Sequence, residues 1–186
     1  MTRKSLLTAA AVTAALATVA GAPAASHDDD HDQRGSRRLK ADLSGFNEVL
    51  TVSTTARGSF RAVLNADETE IAYRLDYRDL VGSVTQSHIH FGDHHMNGGI
   101  SVWLCQTATN PAPPGQTPPV CGAPGGSGPE AEGVITAANV IGPAGQGIAA
   151  GEFAELVRAI KGGRTYANVH SSTFPGGEIR GKIQVD

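Results

Sequence analysis

The stretch Ser87-His88-Ile89-His90-Phe91-Gly92-Asp93-His94-His95 holds four of the seven histidines of this chain. Successive side chains of a β-strand point to opposite faces of the sheet, so His88 and His90 share one face while Ile89 and Phe91 share the other. Ile89 and Phe91 are core residues in this arrangement. Two imidazoles side by side on the polar face form half of a metal site.

The third ligand is expected from the run Tyr166-Ala167-Asn168-Val169-His170, which also alternates and ends in the only histidine after His95. His88, His90 and His170 are therefore the candidate metal ligands. His94 and His95 follow in a loop and are candidates for a further ligand position. The alternative is that His88 and His90 are polar strand residues with a structural role, and that His94 and His95 are surface residues.

Apolar and polar residues alternate through most of the chain after residue 38. A polar turn, Asn65-Ala66-Asp67-Glu68-Thr69, separates two alternating runs and predicts an antiparallel hairpin. Phe153, Leu156, Val157 and Ile160 recur at helical spacing before Gly162-Gly163, which predicts one short helix. The sequence therefore predicts an all-β domain, a Greek-key antiparallel β-sandwich with one helix on a long connection. The expected strands are near 39–43, 60–64, 71–77, 84–91, 100–105, 133–136, 164–170 and 178–185.

The N-terminus predicts export. A basic start is followed by an apolar run over residues 6–19 and by Ala22-Pro23-Ala24, a small-x-small cleavage pattern. Residues 1–24 are interpreted as a signal peptide, with a retained membrane anchor as the less favoured alternative. The mature protein is expected to be secreted or periplasmic and to have no membrane span. Loss of Arg3 and Lys4 changes the formal net charge from −3 to −5, which argues against a nucleic-acid partner.

Residues 25–38 are rich in His and Asp and lack large apolar side chains, so they are expected to form a disordered, solubilising tail. A second interpretation depends on cleavage after Ala24. The new terminus Ala25-Ser26-His27 would then offer an amine, two amides and the His27 imidazole, a square of nitrogens that suits Cu(II) or Ni(II). N-terminal sequencing tests this arm, because it requires Ala25 as the first residue.

Cys105 and Cys121 are the only cysteines. In an exported protein such a pair is expected to form a disulfide. The bridge would close the Pro-, Thr- and Gly-rich loop 106–120 and contribute about 3 kcal/mol on the loop-entropy model. Metal binding by the two thiols is disfavoured, because neither has the ligand spacing of a Cys–Cys or Cys–His zinc site.

Four motifs resemble the CHRD domain, a family named after chordin that also occurs in exported bacterial proteins. They are SHIHFG at 87–92, NGGISVWLC at 97–105, YANVHS at 166–171 and PGGEIRGKI at 175–183. The resemblance extends over nearly the whole mature chain and implies a CHRD domain at residues 39–186. It implies an extracellular or periplasmic protein but no particular activity.

The run HIHFGD at 88–93 and the run GRTYANVH at 163–170 are similar to copper-ligand strands of copper/zinc superoxide dismutases. This second resemblance implies a superoxide dismutase-like or immunoglobulin-like sandwich with copper at His88, His90 and His170. It would place Arg180 as an anion-guiding, catalytic arginine. No histidine lies between His95 and His170, so the zinc site of that family is not expected, and copper is favoured over zinc.

Three functions remain open at this point. The first is an exported copper-binding protein for metal storage, buffering or redox protection. The second is a copper-only superoxide dismutase-like enzyme that uses Arg180. The third is a non-catalytic extracellular binding module with structural histidines. A metal ion is the expected partner, and the sequence predicts no particular protein partner.

The alternation places the histidines and Arg180 on an outer face of the sandwich, away from the core. For Arg180 the favoured alternative is a solvated strand residue or an ion pair with Glu178 or another acid. Trp103 falls on the same polar side of its strand. It is expected to pack under the long loop 106–120 or to cover the metal site.

Overall fold

The computed structural model describes residues 35–125 and 128–186. The predicted signal peptide, most of the predicted tail and the His27 copper arm lie outside these residues. Within the described part of the chain, no helix is both long and apolar enough to cross a membrane. The first strand starts at Arg37, two residues before the predicted start of the domain.

The described residues form nine strands and one α-helix, together with short 3-10 turns. The strands are β1 (Arg37–Ser44), β2 (Arg57–Leu64), β3 (Ile71–Arg78), β4 (Val84–Phe91), β5 (Gly99–Cys105), β6 (Ala131–Ile135), β7 (Thr165–Ser171), β8 (Ile179–Lys182) and β9 (Gln184–Val185). The helix α1 covers Phe153–Lys161. Each of the predicted strands and the predicted helix is present.

The strands form one antiparallel sheet in the order β5-β4-β7-β8-β1-β2-β3-β6, and β9 pairs with β1. The predicted hairpin is β2–β3, in which Leu64 pairs with Ile71 across the turn. The sheet curls until its two ends approach each other, and the Tyr73 hydroxyl of β3 donates to the Leu104 carbonyl of β5 at 2.6 Å. The result is a nearly closed antiparallel sandwich or barrel, which confirms the predicted fold class.

The core fills the inside of the curled sheet. The apolar residues of the alternating strands point inward, as predicted, and include Leu39, Leu43, Phe60, Leu75 and Ile89. The helix closes the core with its apolar stripe, because the four residues that predicted it are all buried. Burial of this stripe, rather than helix propensity, is what stabilises so short a helix.

The disulfide between Cys105 and Cys121 is formed, as predicted. It joins the end of β5 to the far end of the long loop, where Gln106 and Val120 also form an isolated bridge. Both sulfurs are committed to this bond, so thiol coordination of a metal is excluded.

The polar face of β4, β7 and β8 differs from the expectation. It points away from the core, as the alternation predicts, but it is not an outer face, because all seven residues of β7 are buried. Three connecting segments cover it: the loop 92–98 after β4, the segment 45–54 after β1 and the turn 172–178 after β7. The alternation of apolar and polar residues predicts which side chains share a face of the sheet. Whether that face is exposed depends on the loops that cover it.

Candidate metal centre

His88, His90 and His170 meet under these covering segments. β4 and β7 are antiparallel neighbours, with His88 opposite Asn168 and Gln86 opposite His170. His170 is thus the diagonal neighbour of His88, within reach of a ring side chain. One ligand nitrogen from each of the three rings lies within 4.8 Å of the other two. The residues are 1%, 8% and 6% exposed, respectively.

Two of the rings are fixed by backbone carbonyls. His90 Nδ1 lies 2.9 Å from the Gly98 carbonyl oxygen, and His170 Nδ1 lies 2.9 Å from the Pro175 carbonyl oxygen. A carbonyl oxygen only accepts, so Nδ1 carries the proton and donates in both rings. This leaves Nε2 of each neutral ring unprotonated, facing His88 Nδ1 in the case of His170 and the Asn168 side-chain oxygen in the case of His90. Such an outer hydrogen bond, which sets the tautomer and the ring orientation, is typical of metal-binding histidines.

The third ring, His88, completes the group. Its Nδ1 lies 3.2 Å from His170 Nε2. Its Nε2 is buried and has no hydrogen-bond partner among the described residues. A metal ion held about 2.0–2.1 Å from two imidazole nitrogens separates them by about 3.3–3.6 Å. The His88–His170 pair therefore already has close to the spacing of two ligands of one ion.

Burial keeps these rings neutral. It is the main reason why the pKa of His88 lies well below 6.5, with His170 and His90 adding to the effect. Burial also lowers the pKa of His90 to about 4 and lowers the pKa of His170, to which the Arg180 charge contributes. Neutral imidazole is the form that binds a metal, so the rings are in the ligand state at neutral pH.

Aromatic and amide groups surround the rings. The His88 ring meets the Trp103 ring edge to face at 4.4 Å, and His90 stacks on Tyr166 at 4.8 Å. Trp103 also borders a cavity lined by residues 117–119 of the long loop, so it both covers the histidines and packs under that loop. The side-chain oxygen of Asn168 lies 3.1 Å from His90 Nε2, so a metal bound at that nitrogen would have to displace it.

Arg180 forms an ion pair, as its favoured alternative allowed, but the partner is Glu48 rather than Glu178, and the pair is buried rather than solvated. Its Nε donates to Glu48 Oε2 at 2.5 Å, and the two side chains are 1% and 2% exposed. Burial raises the pKa of Glu48 to about 7, against the opposing effect of the Arg180 charge. Glu178 is buried elsewhere and accepts from the Thr54 hydroxyl and the Val81 amide. Sequence reasoning missed Glu48, because no motif links it to Arg180 across more than a hundred residues.

Arg180 also holds the loop 92–98 over the histidines. It donates to the Met96 carbonyl and to Asn97 Oδ1, each at 3.1 Å. The next residue, Gly98, donates its amide to the Tyr166 hydroxyl at 3.1 Å. A Cβ at Gly98 would lie 2.0 Å from the Phe91 carbonyl oxygen, so this close approach requires glycine.

His94 and His95 lie in the same loop but belong to another group. One donor atom from each, with one from Asp93, forms a second cluster within 4.8 Å. The structure therefore groups them with Asp93, a residue that sequence reasoning did not include. The predicted ligands thus divide into a buried three-histidine group and a loop group.

These observations define the protein as an antiparallel β-domain with one disulfide and a buried three-histidine candidate metal site. Comparison with protein-family models matches residues 39–183 to the CHRD domain, and the chain belongs to this family. No curated protein and no solved structure matches the chain. The similarity to copper/zinc superoxide dismutases remains a resemblance of two short motifs.

Proposed function

We propose that this CHRD-domain protein is exported and binds a copper ion through His88, His90 and His170, for metal storage, buffering or redox protection. The observation that carries the proposal is the meeting of three buried, neutral imidazoles, two of them oriented by backbone carbonyls. The ring nitrogens with which His88 and His170 face each other are 3.2 Å apart, close to the separation of two ligands of one ion.

The ligand set favours copper. Imidazole is a good ligand for both copper and zinc, and among the divalent ions Cu(II) has a higher intrinsic affinity than Zn(II) for such ligands. The three-histidine group contains no carboxylate, so a bound ion keeps its full charge in a buried place. Monovalent Cu(I) carries the smaller desolvation cost there, because that cost rises with charge. Zinc is the second candidate.

Binding is favoured over catalysis because the site is covered. The three histidines are at most 8% exposed, which leaves a substrate little access to an ion. Arg180, the candidate anion guide of the dismutase alternative, has its donors engaged by Glu48, Met96 and Asn97. A dismutase role would require the loop 92–98 to open and release these contacts.

Export is supported by two properties. Membership of the CHRD family and an intramolecular disulfide are both compatible with an extracellular or periplasmic location. A disulfide across a loop would be reduced in most cytosolic environments. Exported proteins encounter copper outside the cytosol, so the proposed location and the copper-binding ligand set are consistent with each other.

The test is a competition titration of the purified, metal-free protein with Cu(I) and a chelator of known affinity. His88→Ala and His170→Ala should each lower the affinity at least about 100-fold, because each removes a first ligand and not only an outer contact. His27→Ala/His31→Ala is the matched control, since it removes two imidazoles outside the described residues. Circular dichroism confirms that each variant is folded.

Unchanged Cu(I) affinity in both folded variants would refute the proposal and favour a binding module with structural histidines. A dismutation assay on the copper-loaded protein separates the enzyme alternative. Activity that is lost in His170→Ala would replace storage by catalysis as the function of the site.

A further inference from the structure

The loop group formed by Asp93, His94 and His95 has the composition of a metal site in its own right. These three consecutive residues bring a carboxylate and two imidazoles to one place, with one donor atom from each within 4.8 Å of the others. The His94 and His95 rings lie close together, with centroids 3.8 Å apart. None of the three is a ligand of the buried group.

The unusual contact is between Asp93 and His94. Asp93 Oδ1 and His94 Nδ1 are 3.1 Å apart. His94 Nδ1 is nevertheless buried and makes no aligned hydrogen bond among the described residues. The carboxylate oxygen and the ring nitrogen are close together, but no well-directed hydrogen bond joins them. Two adjacent ligands of one metal ion have this arrangement.

The carboxylate is oriented in advance. Asp93 Oδ1 accepts from the His95 amide at 3.2 Å, and Asp93 Oδ2 accepts from Arg164 Nη1 at 3.1 Å. Such outer hydrogen bonds fix a ligand in its binding geometry before the metal arrives. They leave lone pairs of Oδ1 available, because a carboxylate oxygen accepts more than one contact.

The charges around the cluster limit its affinity. Arg164 offsets the Asp93 charge, and Lys182 lines the same cleft as His94, together with Asp42. His95 is exposed, so water can complete the coordination sphere. One carboxylate, two imidazoles and water suit the borderline divalent ions Cu(II), Ni(II) and Zn(II).

We propose that Asp93, His94 and His95 form a second, surface metal site that takes a divalent ion of this class and is weaker than the buried three-histidine site. This inference does not depend on the proposed function, because the two sites share no ligand. The protein would then bind two ions, one under the loop 92–98 and one on it.

The probe is Cu(II), titrated by calorimetry into the chain carrying His27→Ala and His31→Ala, which removes the tail imidazoles. This parent should bind two equivalents. His94→Ala/His95→Ala should bind one, and Asp93→Asn should weaken the second equivalent at least about tenfold. Asp79→Asn is the matched control, because Asp79 is likewise a carboxylate beside an arginine, Arg78, and lies outside the loop group.

A second readout locates the ion. Cu(II) is paramagnetic, and in a His88→Ala background, which removes the buried site, it should broaden the backbone amide signals of residues 92–96, but not when His94→Ala/His95→Ala is added. A second equivalent that persists in His94→Ala/His95→Ala would overturn the inference. So would a parent that binds no ion, or that binds one equivalent abolished only by His88→Ala. One equivalent that is lost with His94 and His95 but survives His88→Ala would support the inference and show that the buried site does not take Cu(II), and the Cu(I) titration then decides the proposed function.

Discussion

The buried pair of Arg180 and Glu48 gives the sharpest stability prediction. Arg180→Met replaces the guanidinium by an apolar side chain of similar length. It leaves the Glu48 carboxylate buried, and Glu48 Oε1 already lacks a partner among the described residues. It also removes the donors to the Met96 carbonyl and Asn97 Oδ1.

The size of the effect depends on whether Glu48 is charged. Removing one partner of a buried ion pair costs about 3–5 kcal/mol when the other charge stays. At pH 8 Glu48 is above its raised pKa of about 7 in the parent protein, so the variant must either keep an unpaired charge or bind a proton. Proton binding limits the cost, which with the lost hydrogen bonds is expected to be about 2–3 kcal/mol at pH 8. The Arg180 charge lowers the pKa of Glu48, so this pKa should rise further in Arg180→Met. At pH 5.5 the carboxyl is then neutral, and only lost hydrogen bonds remain, about 1–2 kcal/mol.

The sign follows from proton linkage. A carboxyl whose pKa is higher in the folded state keeps a proton that the unfolded chain has lost, between the ordinary carboxyl pKa of 4.5 and the folded pKa. Stability therefore falls as pH rises through this range. Because the range is wider in Arg180→Met, the destabilisation relative to the parent should grow between pH 5.5 and pH 8.

The assay is equilibrium unfolding in urea at both pH values with the disulfide intact. The matched control is Arg180→Met/Glu48→Gln, which removes both charges. It should cost about 0–2 kcal/mol, with little change between the two pH values, because no buried charge is left. A cost below about 1 kcal/mol for Arg180→Met at pH 8, or one independent of pH, would refute this reasoning.

Two further predictions concern the disulfide and acid. Replacing both half-cystines by alanine should lower the free energy of unfolding by about 3 kcal/mol, because a loop of 16 residues is released. In calorimetry the Tm should fall by about 6–12 °C, and an unchanged Tm would contradict this prediction. The metal-free protein should also lose stability as pH falls below 6.5, because His88, His90 and His170 have lowered folded pKa values and the unfolded chain then binds more protons. With a pKa of about 4, His90 alone removes about 3 kcal/mol by pH 4, while Glu48 acts in the opposite direction. Urea unfolding at pH 7 and pH 4.5 measures the balance, and Glu48→Gln should steepen the loss. Stability that rises in acid in Glu48→Gln would refute the assignment of neutral histidines.

Local patterns were sufficient for the elements and for the candidate ligands on them. The hairpin β2–β3, the helix α1 and the strands β4 and β7 follow from periodicity and turn residues, which depend only on near neighbours in the chain. The pairing of Cys105 with Cys121 followed from the cysteine count and the predicted export. The gathering of His88, His90 and His170 was anticipated because two alternating strands can share a polar face.

The amino-acid sequence by itself therefore determined which residues form strands, which share a face and which three histidines can meet. Only the tertiary structure decided that this polar face is buried, that Arg180 pairs with Glu48, and that His94 and His95 group with Asp93. The physical reason is the range of the interactions. Strand alternation has a period of two residues, whereas covering a sheet face or pairing a buried charge depends on loops that are remote along the chain.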